Sequence, residues 1–223
     1  MIVHCYGGIS NRLRVILSYR AKYGEVDVVW LPDGEICGAR FLDVFEPIAG
    51  VRFIEPKHES YYRTCDPAPD VPPYWQEMYG RLTLRLEYHA RWLVLRPSEP
   101  YDAIHVRRTD HHDYEPARLA PTTDETFYGF LSGATQPVWL ATDNGTTQLQ
   151  YMRGIRAAGR TCLVCDGIHV HERENMSGQR NTTLADAAID LFMCAGAVNF
   201  FGSRHSSFTN AIHTLRNLTG WWT

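Results

Sequence analysis

The segment IVHCYGGISNRLRVILSYRAKYGEVDVVWL, residues 2–31, decides the fold class. Residues 2–6 form a short apolar run, a glycine pair follows, and residues 11–23 carry a helical pattern of apolar side chains. Residues 26–31 form a second run that is almost entirely apolar, which is typical of strands buried inside parallel sheets. Strand, helix and strand in this order predict a parallel sheet covered by helices.

The same alternation continues along most of the chain. The further predicted strands cover residues 51–54, 103–106, 138–142, 161–165 and 197–201, and the further predicted helices cover residues 37–45, 75–95, 124–132, 146–158, 184–195 and 207–215. Pro97 and Pro100 mark a hinge between the two series of elements. The 223 residues suffice for two small domains, so we expect an α/β fold of two lobes, residues 1–97 and 98–223.

Composition argues against several classes of protein. The net charge of -3 is wrong for a general nucleic-acid binder. The most apolar long stretch, residues 184–202, is interrupted by Asp186 and Asp190, so no membrane span is predicted. The opening MIVHCYGG lacks the features of a signal peptide, and the six cysteines lack the spacing of a disulfide framework. We therefore expect a cytoplasmic protein.

Polar side chains stand at the carboxyl ends of the predicted strands, where open α/β sheets bind ligands. The residues at these ends are His105, Arg107, Arg108, Asp143, Ser206 and Ser207. Two adjacent arginines point to opposite faces of a strand, so packing does not require both. Guanidinium groups and the free amides of a helix start both suit phosphate, so a diphosphate site is predicted. The alternatives are ion pairs of the arginines with Asp110 or Asp113, and a simple helix cap by the serines.

Two acids could accept hydrogen bonds from a ribose or a base. One is Asp143, and the other is Asp190, whose flanks in the predicted helix are almost wholly apolar. Metal binding is not expected, because Cys162 and Cys165 lie on a predicted strand, where positions three apart face opposite sides, and no second cysteine pair exists.

Three stretches together resemble the motifs of the fucosyltransferase superfamily. They are HVRRTD at residues 105–110, LATD at 140–143 and DAAIDLFMCAGAVNFFGSRHSSF at 186–208. The closest likeness is to the α1,6-fucosyltransferases, including the rhizobial nodulation enzymes. The opening GGISNRLRVILSYRAKYG, residues 7–24, is similar to the glycine-rich first loop and helix of such enzymes. The resemblance covers residues 1–45 and most of residues 101–216.

The resemblance implies Rossmann-like lobes facing across a cleft in a compact GT-B-like arrangement. It implies inverting, metal-independent transfer of a sugar, most simply L-fucose, from a GDP-sugar to a glycan or other hydroxyl acceptor, with no cofactor. The nucleotide-sugar would bind the C-terminal lobe and the acceptor the N-terminal lobe. The aromatic and proline-rich segment 61–75 is the expected acceptor side.

The resemblance also assigns roles to individual residues. Arg107 would grip phosphate with Arg108 beside it, His105 would lie near the nucleotide, Asp190 would bind guanine, and Ser207 would contact phosphate with Ser206 adjacent. Asp143, Gly8, Asn11 and Arg12 complete the expected donor site, although Asn11 and Arg12 could instead cap and solvate the first helix. Counting eight residues beyond the first arginine places the acidic base at Glu115.

Inverting transfer needs a base for the acceptor hydroxyl and a group that stabilises charge on the leaving diphosphate. Arg107 with the helix start at Ser206 and Ser207 could supply the second function without Mg²⁺. Glu115, Asp113 or Asp110 could supply the first, and the expected catalytic set is Glu115, Arg107 and Asp110. A second acid that the family carries after Asp143 is Asn144 here. That change leaves open a different nucleotide-sugar on the same scaffold, and a nucleotide- or glycan-binding module without turnover is the other alternative.

Overall fold

Four parallel strands near the N-terminus form one sheet with the order β3-β2-β1-β4. This computed structural model describes residues 1–32, 37–56, 63–108, 122–165 and 182–218. The strands are β1 (Ile2–Cys5), β2 (Val26–Trp30), β3 (Val51–Phe53) and β4 (Arg63–Thr64). Between them lie α1 (Ile9–Tyr23) and the short α2 (Phe41–Val44). The sequence prediction of strand, helix and strand over residues 2–31 is confirmed.

A second parallel sheet has the order β7-β6-β5-β8. Its strands are β5 (Asp102–Val106), β6 (Val138–Thr142), β7 (Cys162–Leu163) and β8 (Phe200–Gly202). The helices of this half are α4 (Asp124–Gly133), α5 (Gly145–Ala157), α6 (Leu184–Gly196) and α7 (Ser207–Arg216). Every residue of β5 and of β6 is buried, as expected for central strands covered by helices on both faces. The predicted α/β fold is confirmed.

The region between the two sheets differs from the prediction of one helix over residues 75–95. A 3-10 helix (Trp75–Arg81) is followed by an extended piece and then by α3 (Leu86–Leu95). The extended piece pairs with the end of α2, since the amide of Arg85 donates to the carbonyl of Val44 and the amide of Glu46 donates to the carbonyl of Thr83. These backbone pairings outweigh the local helical pattern.

The proline-rich segment contains a strand that the sequence analysis missed. β4 extends the first sheet by pairing with β1, with Arg63 opposite His4 and Thr64 opposite Cys5. The strands β7 and β8 are also shorter than the predicted runs 161–165 and 197–201.

One hydrophobic core joins helices from both halves of the chain. α1 packs against α7 and α6, and buried side chains such as Leu13 and Ile16 belong to the same cluster as Ile189 and Ile212. Strands β1–β4 precede residue 97 and β5–β8 follow it, but α3, which also precedes it, packs against α6. The boundary at residue 97 stays a prediction. Among the described residues, no helix combines the length and apolar character needed to cross a membrane.

Candidate functional site

The carboxyl ends of β6, β5 and β8 lie side by side at one edge of the second sheet. Their register sets Val106 opposite Thr142 and His105 opposite Gly202. The residues that follow each strand therefore meet at this edge, which we call the strand-end site. The strand-end site consists of His105, Arg107, Arg108, Asp143, Ser203, Arg204, His205, Ser206 and Ser207.

Arg107 is held to the loop after β8 by its backbone. Its amide donates to the hydroxyl of Ser203 across 2.9 Å, and the amide of Ser203 donates to the carbonyl of His105 across 2.9 Å. Ser203 is 1% exposed, whereas Arg107 is half-buried. Sequence reasoning did not select Ser203, although its place directly after the last strand was the available signal.

Arg108 has a different role from Arg107. Its guanidinium donates to the carbonyl of Thr122 (3.1 Å) and to the carboxylate of Asp124, and its Cζ lies 5.8 Å from the ring centre of Phe127. Its backbone amide donates to Oδ1 of Asp143 across 3.2 Å. The side chain of Arg108 thus binds protein groups, and its expected contact with the donor stays a prediction.

His105 lies beneath the start of α7. The residue is 5% exposed, its Nδ1 is 2.9 Å from Oγ1 of Thr209, and its ring centre is 4.7 Å from that of Phe208. Gly202 makes this approach possible, because a Cβ at that position would lie 2.6 Å from Thr209. His105 therefore supports the helix start from below.

The start of α7 offers backbone amides at the strand-end site. Ser206 is the N-cap, 1% exposed, and its hydroxyl accepts from the amide of Thr209 across 3.5 Å. Ser207, the first helical residue, is half-buried. His205 before them has a left-handed φ of 58°, which turns the chain sharply into the helix. Such a start attracts anions through its unpaired amides and the helix dipole.

Asp190 lies away from the strand-end site. It is 5% exposed inside the core between α6 and β6, where the indole Nε1 of Trp139 donates to its Oδ1 across 2.9 Å. Trp139 is near the beginning of β6, opposite Ala103, and thus far along the strand from Thr142. Burial raises the pKa of Asp190 to about 8. Its expected contact with guanine stays a prediction, and the indole is the partner that the structure shows.

The glycine-rich loop after β1 is organised by Arg12. This residue is 2% exposed, donates to the carbonyls of Gly7 (2.7 Å) and Leu31 (2.6 Å), and lies 5.0 Å from the ring centre of Trp30. Both acceptors are backbone carbonyls, and they hold the guanidinium between the loop after β1 and the end of β2. Gly7 has φ +83°, which glycine adopts readily.

The other residues selected at the start of α1 have local partners. Gly8 is the N-cap of α1, and its carbonyl accepts from the amide of Arg12 across 3.1 Å. Asn11 accepts from the guanidinium of Arg14 across 3.2 Å, and Arg14 also donates to the carbonyl of Cys65. Arg12 and Asn11 thus fix the loop and the first helical turn, and a donor contact from either stays a prediction.

Several expected residues fall outside the described part of the chain. Glu115, Asp110 and Asp113 belong to residues 109–121, which the structure does not describe. Residues 61–62 of the expected acceptor segment are not described either. Within the described ranges no three histidine, cysteine or acidic side chains group together as metal ligands. Burial raises the pKa of Cys162 to about 11, which keeps that thiol protonated at neutral pH.

Comparison with known proteins identifies the fold. No protein-family model matches the sequence, and no curated protein matches it. The α1,6-fucosyltransferase NodZ co-crystallised with GDP superimposes with a TM-score of 0.61 and 17% identity, over 95% of this chain and 91% of its own. NodZ from Bradyrhizobium gives 0.59 and 17% over the same shares, and POFUT1 in complex with GDP-fucose gives 0.58 and 11% over 98% and 95%. The expected fucosyltransferase-like fold is confirmed.

Proposed function

We propose that this protein is a glycosyltransferase that moves L-fucose from GDP-fucose to a hydroxyl group of a glycan or another acceptor. The observation that carries the proposal is the meeting of Arg107, Ser203 and the start of α7 at the strand-end site. Support comes from the fold, which is similar to that of fucosyltransferases crystallised with GDP and with GDP-fucose.

The diphosphate of the donor is assigned to Arg107 and the amides around Ser206 and Ser207. A guanidinium and a helix start together neutralise the charge that grows on a leaving diphosphate. His105 supports the helix start, and for the ribose hydroxyl we propose Asp143, which is half-buried after β6. Asp190 remains the residue proposed for guanine, and Gly8, Asn11 and Arg12 are the N-terminal contribution to the donor site.

In the proposed reaction the acceptor oxygen attacks the anomeric carbon of fucose while the bond from that carbon to the diphosphate oxygen breaks. The acceptor proton passes to a carboxylate, for which we propose Glu115, with Asp110 and Asp113 as the other candidates. The configuration at the anomeric carbon inverts because one displacement occurs. Arg107 and the α7 amides stabilise the leaving diphosphate, so the proposed mechanism needs no metal ion.

The replacement of an expected second acid by Asn144 has a structural explanation. The side-chain oxygen of Asn144 caps α5 by accepting from the amide of Thr147 across 2.8 Å. Asparagine and aspartate serve equally well at an N-cap. This residue therefore gives no reason to prefer a sugar other than fucose.

Release of GDP from GDP-fucose, with glycan acceptors present and with EDTA in a parallel reaction, tests the proposal. We expect release in both reactions, its loss in Arg107→Ala, and its loss with GDP binding retained in Glu115→Gln. Arg52→Ala is the matched control, because Arg52 is paired with Asp27 on the first sheet and is not part of the strand-end site. Binding of GDP without any release in the wild type would favour the non-catalytic alternative, and no binding of GDP would overturn the proposal.

A further inference from the structure

Arg108 links three strand ends at once. Arg108 itself follows β5. Its backbone amide donates to Asp143, which follows β6, and its guanidinium donates to the carbonyl of Thr122. The hydroxyl of Thr122 in turn accepts from the amide of Arg204, after β8, across 2.8 Å. The backbone amide and the side chain of Arg108 thus together connect the loop after β6 with the turn that leads into α7.

The acceptor of the Arg108 guanidinium is itself fixed. Asp124 also accepts from the hydroxyl of Tyr151 (2.7 Å) and from the amide group of Gln150 (3.0 Å). Burial acts to raise the pKa of Asp124, but hydrogen bonds from Tyr151, Gln150 and Arg108 hold that pKa below its usual value. The carboxylate stays charged at neutral pH and anchors Arg108 to α4 and α5.

The geometry assigns to Arg108 the role of a positioning residue, which sets the place of Arg107 and of the turn at Arg204 through Asp124 and Thr122 rather than by contact with the donor. The side chain is 16% exposed, and its Cζ lies 5.8 Å from the ring centre of Phe127, so it is enclosed by protein groups. A guanidinium suits the task because its planar fork donates to two acceptors in fixed directions. Only the expected effect of Arg108 on turnover rests on the proposed function.

A double-mutant cycle separates positioning from direct contact with phosphate. Arg108→Ala and Asp124→Ala should each lower kcat/KM for GDP-fucose by about 10–100-fold, the range expected when a reacting group is misplaced by about 1 Å. The double variant should be no worse than the poorer single variant, because both remove one link. Thr123 remains as the cap of α4 in these variants. Arg108→Lys, which retains the charge without the fork, should recover little activity.

Two results would overturn the inference. One is full activity in Asp124→Ala together with loss of activity in Arg108→Ala, since a phosphate ligand does not need the carboxylate. The other is a loss of kcat/KM in the double variant that equals the product of the two losses in the single variants.

Amide hydrogen exchange tests the same inference without any turnover. The amides of Arg107 and Arg204 donate to Ser203 and Thr122, so Arg108→Ala should make them exchange about tenfold faster. The matched control Arg52→Ala should leave both rates unchanged. Unchanged rates in Arg108→Ala would contradict positioning whether or not the wild type uses GDP-fucose, whereas an inactive wild type with the expected rates would overturn only the proposed function.

Discussion

Asp186 and Asp190 lie one turn apart on α6, and different side chains hold their carboxylates. The guanidinium of Arg91 donates to Asp186 across 2.7 Å, whereas the indole of Trp139 donates to Asp190 across 2.9 Å. Burial raises the pKa of Asp190 to about 8. Burial also acts to raise the pKa of Asp186, but hydrogen bonds from Thr183 and Arg91 hold it below its usual value. At neutral pH the first carboxylate is charged and the second is protonated.

The raised pKa of Asp190 makes the stability of the protein depend on pH. The unfolded chain loses this proton near pH 3.8 and the folded protein near pH 8, so stability falls as pH rises between these values. The slope is at most about 1.4 kcal/mol per pH unit. Asp190→Asn keeps an acceptor for Trp139 and cannot ionise. Urea unfolding between about pH 5 and pH 8 should therefore show a flatter dependence for the variant than for the wild type, and parallel curves would contradict the assignment.

The lowered pKa of Asp186 acts in the opposite sense. Its contribution to stability is present above the unfolded pKa of 3.8 and is lost as pH falls through the lower folded value. Asp186→Ala removes the carboxylate that pairs with Arg91 and should cost about 2–3 kcal/mol at neutral pH, less than a fully buried pair because Arg91 is partly solvated. Urea unfolding measures this cost. Arg52→Ala, which breaks an exposed pair with Asp27, is the control and should change stability little.

Ser203→Ala tests the link between β5 and the loop after β8. The amide of Arg107 would lose the hydroxyl of Ser203 as its acceptor in a partly buried position, at a cost of about 1 kcal/mol in unfolding free energy. Because Arg107 would shift, GDP should also bind more weakly. Ser132→Ala removes an exposed hydroxyl bonded to the carbonyl of Gly129 and should leave GDP affinity unchanged. Equal GDP affinity in the wild type and Ser203→Ala would argue against this link.

Gly202→Ala tests the close packing over His105. The new methyl group would lie 2.6 Å from Oγ1 of Thr209, which is the partner of Nδ1 of His105. Overpacking of this kind costs about 1–3 kcal/mol, so the melting temperature should fall. Gly133→Ala, where no atom lies within 4 Å, is the control and should not lower it. A melting temperature for Gly202→Ala equal to that of the wild type would show that α7 can move aside.

The long apolar runs made most of the fold predictable. β6 occupies residues 138–142 as predicted, and α6 covers residues 184–196 against a prediction of 184–195. Their patterns are strong because each element is buried over nearly its whole length. β4 was missed because two residues in a proline-rich segment carry no periodicity, and its strand character comes from pairing with β1.

Sequence reasoning placed residues at the strand-end site better than it assigned their contacts. Parallel topology alone brings Arg107, Asp143 and Ser207 to one edge of the sheet. The different partners of the two arginines follow from Thr122 and Asp124, which are distant in sequence from the strand end and carry no motif. Tertiary contacts of this kind cannot be deduced from spacing.

Calorimetric titration of the wild type and Arg107→Ala with GDP, UDP, CDP and ADP tests the central claim most directly. We expect GDP to bind the wild type at least about tenfold more tightly than the other nucleotides. Arg107→Ala should weaken GDP binding about 10–100-fold, the effect of one lost charge-assisted contact. Equal affinity for all four nucleotides, or unchanged GDP affinity in Arg107→Ala, would contradict it.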